Sequence, residues 1–164
     1  MAGQIRDIRA DDLEAALALN ESVVPHVNSI GLTEMSWFAA HADYFRVVDN
    51  EASIDGMLIG FRPGSAYASP YYRWFCDHFD DFAYIDRIAI SGTMRRRGMA
   101  SAFYRDFEAT FQGRVPCLAC EVNLLPTNES SLAFHREMGF TVVDNAVIEP
   151  GIREVARLTK KLQG

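Results

Sequence analysis

Apolar and polar positions divide this chain into short strands and amphipathic helices. "QIRDIRA" alternates and predicts an opening strand; Leu13, Ala16, Leu17, Leu19 and Asn20 then follow at helical spacing. Asp11 is the expected N-cap of that helix, and Pro25 stops it. "TEMSWFAAHA" predicts a second helix, capped by Thr33, with Trp37 and Phe38 on its apolar side. "YFRVVD" and "ASIDGMLIGF" read as strands joined by the turn "NE". Ser69 as N-cap and Pro70 at the first helical position predict a helix over "SPYYRWFCDHF". "FAYIDRIAI", β-branched and aromatic, predicts a strand.

A helix is expected over residues 97–111, where Met99, Phe103, Phe107 and Phe111 recur every fourth position. "PCLACEV" is a further strand. "TNESSLAFHREMGF" is a helix capped by Thr127 or Asn128 and ended by Gly139. "TVVDNAVI" and "IREVARLT" close the chain as a hairpin. Strands and helices mix without strict alternation, and no linker, repeat or low-complexity segment interrupts them. The expected fold class is therefore α/β (α+β): one domain over residues 1–164 with a mixed, mostly antiparallel sheet flanked by helices.

Composition narrows the function classes. Apolar residues make up 49% and charged residues 23% of the 164 positions, ordinary values for a globular domain. No apolar run approaches the roughly 18 residues that span a bilayer, and "MAGQIRDIRADD" has no signal-peptide core, so a cytoplasmic protein is expected. The net charge of −6 argues against nucleic acid as the partner, because phosphate contacts dominate that binding. Cys117 and Cys120 form "CLAC" inside a predicted buried strand, where positions i and i+3 face opposite sides. No second Cys or His pair stands at zinc spacing, so no metal is expected and the cysteines read as small core residues.

Against this acidic background, "MRRRGMASAFYRDFE" places three consecutive arginines before Gly98 at a helix start. The first backbone N–H groups of a helix have no intrahelical partner, and the helix dipole makes that end attractive to anions. Small residues at Gly98 and Ala100 let a phosphate approach the backbone, and Arg95, Arg96 and Arg97 add charge. A bound pyrophosphate is expected. A Walker loop would need Gly-Lys-Ser/Thr, and a dinucleotide fingerprint three spaced glycines; neither is present.

Arg95-Arg96-Arg97-Gly98-Met99-Ala100 resembles the acetyl-coenzyme A signature of the GNAT superfamily of N-acetyltransferases, Arg/Gln-x-x-Gly-x-Gly/Ala, and follows "IDRIAI" as that family's fourth strand requires. The likeness continues through "CEVNLLPTNESSLAFHREMGF" and is strong over residues 82–140. The stretches "ALN", "YFRV", "YRWF" and "YIDRI" are similar to a bacterial branch of predicted acetyltransferases. The resemblance implies a GNAT-like fold with a six- to seven-stranded sheet. It implies acetyl-CoA as the acetyl donor, its pantetheine arm held by backbone groups of Ile88, Ala89 and Ile90. The amides and side chains from Arg95 through Met99 to Ala100 would then hold the pyrophosphate, with Asn128 and Ser131 contacting the coenzyme from the following helix start. The alternative reading of Asn128 is an N-cap alone.

The family usually has Tyr where this chain has His135. That Tyr is thought to protonate the departing thiolate; His135 is either its catalytic replacement or a structural residue. Asp86 and Glu121 are the candidate general bases, acting directly or through water, or else pairing with Arg87. The aromatic segment from Tyr67 to Tyr84 packs on the sheet. Its surplus rings, Tyr72 and Trp74 among them, are candidates for an acceptor wall, with Asn20 on the other side by analogy with the family. Direct transfer of acetyl to a small-molecule or peptide amine is the leading function. The alternative is a catalytically silent acyl-CoA sensor, and a nucleic-acid modifier is a distant third. No membrane partner is expected, and a homodimer is left open.

Overall fold

The computed structural model describes residues 3–51 and 53–163. Seven strands are hydrogen-bonded in the order β1-β2-β3-β4-β5-β7-β6: β1 (Ile5–Asp7), β2 (Tyr44–Asn50), β3 (Ser53–Phe61), β4 (Ala83–Ile90), β5 (Cys117–Leu125), β6 (Thr141–Glu149) and β7 (Arg153–Lys161). The helices are α1 (Leu13–Ser22), α2 (Leu32–His41), α3 (Pro70–His78), α4 (Met99–Phe111) and α5 (Glu129–Glu137). β1 with β2, β2 with β3, β5 with β7 and β6 with β7 are antiparallel, while β4 and β5 run parallel through Ala83↔Leu118 and Tyr84↔Ala119. The expected mixed, mostly antiparallel sheet with flanking helices is what forms. Cα packing divides the chain into two compact units, Met1–Phe61 with Ile85–Thr110 and Arg62–Tyr84 with Phe111–Gly164.

In the first unit, the row of large side chains on α4 turns inward: Met99, Phe103 and Phe107 are all buried. Burying each such side chain stabilises by roughly 1.5–3 kcal/mol. The helix lies so close to β3 that a Cβ on Gly56 would come within 2.6 Å of the Met99 sulfur and 2.8 Å of the Phe103 ring. Tyr44 and Arg46 of β2 both bond Asp106 of α4, at 2.7 and 2.6 Å, and fix its middle. Burial first, then the Asp106 carboxylate, keep the Tyr44 hydroxyl protonated well above its usual range. The expected turn at Asn50 and Glu51 is shifted: Asn50 ends β2 and pairs with Ser53, so of the two only Glu51 lies outside the strands, and Ala52, which the sequence pattern assigned to the following strand, lies outside the described residues.

Three local expectations are corrected. Asp12 rather than Asp11 organises the start of α1, accepting from the Arg9 backbone N–H at 2.7 Å after a short 3-10 turn at Ala10–Asp12. Asp12 also pairs with Arg6 of β1, which explains the preference. α2 begins one residue before Thr33, with Gly31 preceding it and no side-chain cap. α4 begins at Met99, not at residue 97, because the preceding Gly98 has φ +78 and cannot be helical.

In the second unit, α3 starts with Pro70 at its first turn, and Asn128 caps α5 by accepting from the Ser131 N–H. Tyr72, Phe75 and Phe82 are fully buried beside Tyr84. Cys117 and Cys120 are buried free cysteines, in keeping with core residues. No described helix is long and apolar enough to cross a membrane.

Candidate functional site

The turn between β4 and α4 is built on left-handed backbone. After a 3-10 turn at Gly92–Met94, Arg96 takes φ +62 and Gly98 φ +78. Two left-handed residues, one position apart, therefore lead into the free N–H groups at the start of α4. A non-glycine residue at positive φ is uncommon, which marks Arg96 as held there by the turn. The side chains of Arg95, Arg96 and Arg97 are exposed, and none makes an ion pair among the described residues. Nothing lies within 4 Å of where a Gly98 Cβ would be, so φ and not crowding makes glycine necessary. Upstream on β4, Ile88 and Ile90 are half-buried while Ala89 is buried.

One turn earlier on the same strand, Asp86 and Arg87 are a buried ion pair. Arg87 Nε donates to Asp86 at 2.8 Å, and their side chains are 4% and 6% exposed. Arg87 also donates to Asn20 at 3.0 Å and to Asn28 at 3.0 Å, and its guanidinium lies 4.9 Å from the centre of the Phe38 ring. Asn20 in turn donates to the Asn28 carbonyl at 3.2 Å. The network ties β4 to the end of α1 and the loop after it. Of the two readings of Asp86, general base or partner of Arg87, the pairing is the one that forms. One expectation is corrected: Asn20, wholly buried, holds the loop rather than lining an acceptor wall.

The second unit carries a polar row across three strands. Glu121 of β5 stands opposite Arg157 of β7, and Arg157 stands opposite Asp144 of β6. Glu121 Oε1 accepts from the Tyr84 hydroxyl at 2.6 Å. Arg157 Nη1 donates to Asp144 at 2.6 Å, and the Trp74 ring of α3 lies 4.2 Å from its guanidinium carbon. The other α3 candidate differs. Tyr72 is fully buried, donates to the Arg62 carbonyl at 2.6 Å and accepts from the Ser65 N–H at 3.1 Å. Burial, with the bond to Cys76, pushes its hydroxyl up to about 12. Tyr72 is therefore a core residue; of the two rings, Trp74 alone keeps a half-exposed surface.

On α5, Asn128 Oδ1 accepts from the Ser131 N–H at 3.3 Å, so the capping reading holds. His135 is 5% exposed, between Phe134 and Phe140. Its Nδ1 lies 2.7 Å from the Ser131 carbonyl, which can only accept, so Nδ1 carries hydrogen and donates. Burial pulls its pKa below the ordinary value, against the smaller opposite effect of that bond. This is a core histidine. The expected role as proton donor to a thiolate is corrected on that ground. No group of three or more His, Cys, Asp or Glu among the described residues could hold a metal ion.

Sequence reading did not single out Asn28, Asp144 or Arg157. Asn28 lies in the loop between α1 and α2, and Asp144 and Arg157 on strands, where no motif marks them; only strand pairing brings the last two to Glu121.

The mixed seven-stranded sheet in this order, with a strand–turn–helix unit at β4 and α4, is the frame of an acetyltransferase, as the family match shows. The chain belongs to the acetyltransferase (GNAT) family, whose model matches residues 9–140. No curated protein matches it significantly. Solved structures share the fold. Ard1 from Thermoplasma volcanium has a TM-score of 0.77 at 16% identity, with 100% of each chain covered. The ribosomal-protein-S18-alanine N-acetyltransferase from Escherichia coli has 0.72 at 14% identity, covering 100% of this chain and 96% of that one. Naa20 from Chaetomium thermophilum, solved with a bisubstrate analogue, has 0.75 at 20% identity, covering 97% and 86%.

Proposed function

We propose that the protein moves the acetyl group of acetyl-CoA directly to a primary amine. The observation that carries this reading is the turn before α4, where left-handed Arg96 and Gly98 precede a helix start and three exposed arginines lack ion-pair partners among the described residues. Its amides from Arg96 to Ala100 suit a pyrophosphate, and Arg95 to Arg97 add attraction. Backbone groups of Ile88, Ala89 and Ile90 suit the pantetheine amides, which resemble a peptide and add to a strand in the same way. Asn128 and Ser131 are assigned to the same coenzyme on the family likeness.

In the transfer, the amine nitrogen forms a bond to the thioester carbonyl carbon and the carbon–sulfur bond breaks. The backbone N–H of Ile88 or Ala89 is assigned to the carbonyl oxygen as it gains charge. Glu121 is the base that this reading retains, since Asp86 is committed to Arg87. It takes the proton lost by nitrogen, directly or through water, and the sulfur leaves with a proton from water. A cytoplasmic location fits this chemistry and belongs to the proposal.

Gly98→Val is the first test. A β-branched residue resists φ +78, so coenzyme A affinity should fall at least about tenfold, ~1.4 kcal/mol. Calorimetry showing unchanged affinity in a folded variant would overturn the turn's role. Thiol release from acetyl-CoA in the presence of a mixed amine panel tests turnover. Tight binding with no release would favour the silent acyl-CoA sensor, the reading that a core His135 in place of the family's tyrosine supports.

A further inference from the structure

The row Glu121–Arg157–Asp144 holds an unusual cation. Arg157 is 7% exposed, and its one hydrogen bond among the described residues runs from Nη1 to Asp144. Its Nε is shut off from solvent and has no hydrogen-bond partner. Buried donors are nearly always paired, so a buried guanidinium with an unused N–H needs a physical account. Nε and Nη2 together form the edge of a guanidinium that grips a carboxylate with two parallel bonds. Nη1, on the far side, is the donor that Asp144 occupies, so the gripping edge is left over. Trp74 lies on the guanidinium face at 4.2 Å and holds its plane.

Charge says what fits there. Two carboxylates and one guanidinium leave the row at −1 when Glu121 and Asp144 are ionised, so a bare anion is repelled. A molecule with an ammonium beside its carboxylate matches both ends. Glu121 and Arg157 face each other on antiparallel strands, where opposed Cβ atoms are about 4.5–5.5 Å apart. An α-amino acid can span such a pair, its carboxylate on the Arg157 edge and its amine toward Glu121.

We propose that Arg157 is the acceptor-carboxylate residue, and that the acceptor is a free amino acid rather than the N-terminus of a peptide. The inference rests on the acetyltransferase reading, with Glu121 as the carboxylate that meets the amine. A peptide N-terminus has an amide where the amino acid has its carboxylate. It would leave the Nε–Nη2 edge with one neutral oxygen instead of two charged ones.

The test pairs each of the common free amino acids with its C-terminal amide as acceptors for acetyl-CoA. The wild-type protein should favour at least one free acid over its amide by about tenfold or more in kcat/KM, ~1.4 kcal/mol of discrimination. Arg157→Gln should erase that preference by raising KM for the acid, with the amide little changed and coenzyme A affinity intact by calorimetry. Arg157→Lys keeps the charge beside Asp144 but loses the fork. It should fold if Arg157→Gln does not, and should keep a small part of the preference. Thermal stabilisation of the wild-type protein by free acids but not by amides gives a readout independent of any variant. Absence of preference, whether both sets are acetylated alike or neither is, overturns the inference, as does an equal loss for acids and amides in the variants. Failure of coenzyme A itself to bind overturns the underlying reading instead.

Discussion

His135 sits where the family resemblance leads to a tyrosine near the thiol, and its surroundings decide its role. A ring between Phe134 and Phe140, with Nδ1 bonded to the Ser131 carbonyl, is held for packing. His135→Ala should therefore lower the unfolding midpoint and leave kcat within about twofold; a general acid would cost ~10²-fold or more. Burial lowers the folded-state pKa, so below the unfolded value of 6.5 the unfolded chain binds a proton that the folded chain does not. The stability from this group is complete above that value and is lost as pH falls through it toward the folded pKa. His135→Asn should flatten that part of the midpoint-versus-pH curve. An unchanged curve, with a collapse of kcat, would restore the catalytic role.

Among the elements, α4 follows the arginine–glycine turn proposed to hold the pyrophosphate, and it packs against a glycine of β3. Met99 and Phe103 occupy the space that a side chain at Gly56 would need, so Gly56→Val forces these side chains to move and strains the packing of the start of α4. Overpacking of this kind costs typically 1–3 kcal/mol. The expected outcome is a lower unfolding midpoint together with weaker coenzyme A binding in protein that remains folded. Full affinity in a folded Gly56→Val variant would show that the turn is set by its own dihedrals and not by helix placement. α3 illustrates a different lesson at the same scale. Its aromatic run reads as one surplus face, yet Tyr72 and Phe75 go to the core while Trp74 goes to Arg157.

Across the whole molecule, a net charge of −6 surrounds one exposed cluster of three arginines. Coenzyme A affinity should consequently fall as salt rises from about 0.01 to about 1 M, where the screening length shrinks from roughly 30 to 3 Å. Pantetheine, which lacks the pyrophosphate, should bind with no comparable salt dependence; equal behaviour of the two would remove the arginines from the site. The sequence alone determined most of the architecture, because helical and strand periodicity, Pro70, Asn128 and Gly139 act locally. It also marked the turn before α4, whose three arginines and glycine are consecutive. It left open the roles of Asp86, Asn20, Tyr72 and His135, since each depends on which distant groups it meets and how much water reaches it. The Arg87 network draws on positions 20, 28, 38 and 86. The row through Glu121, Arg157 and Asp144 exists only because β7 pairs with β5 on one side and β6 on the other. Such neighbours are set by strand register and burial, which no local run of residues encodes.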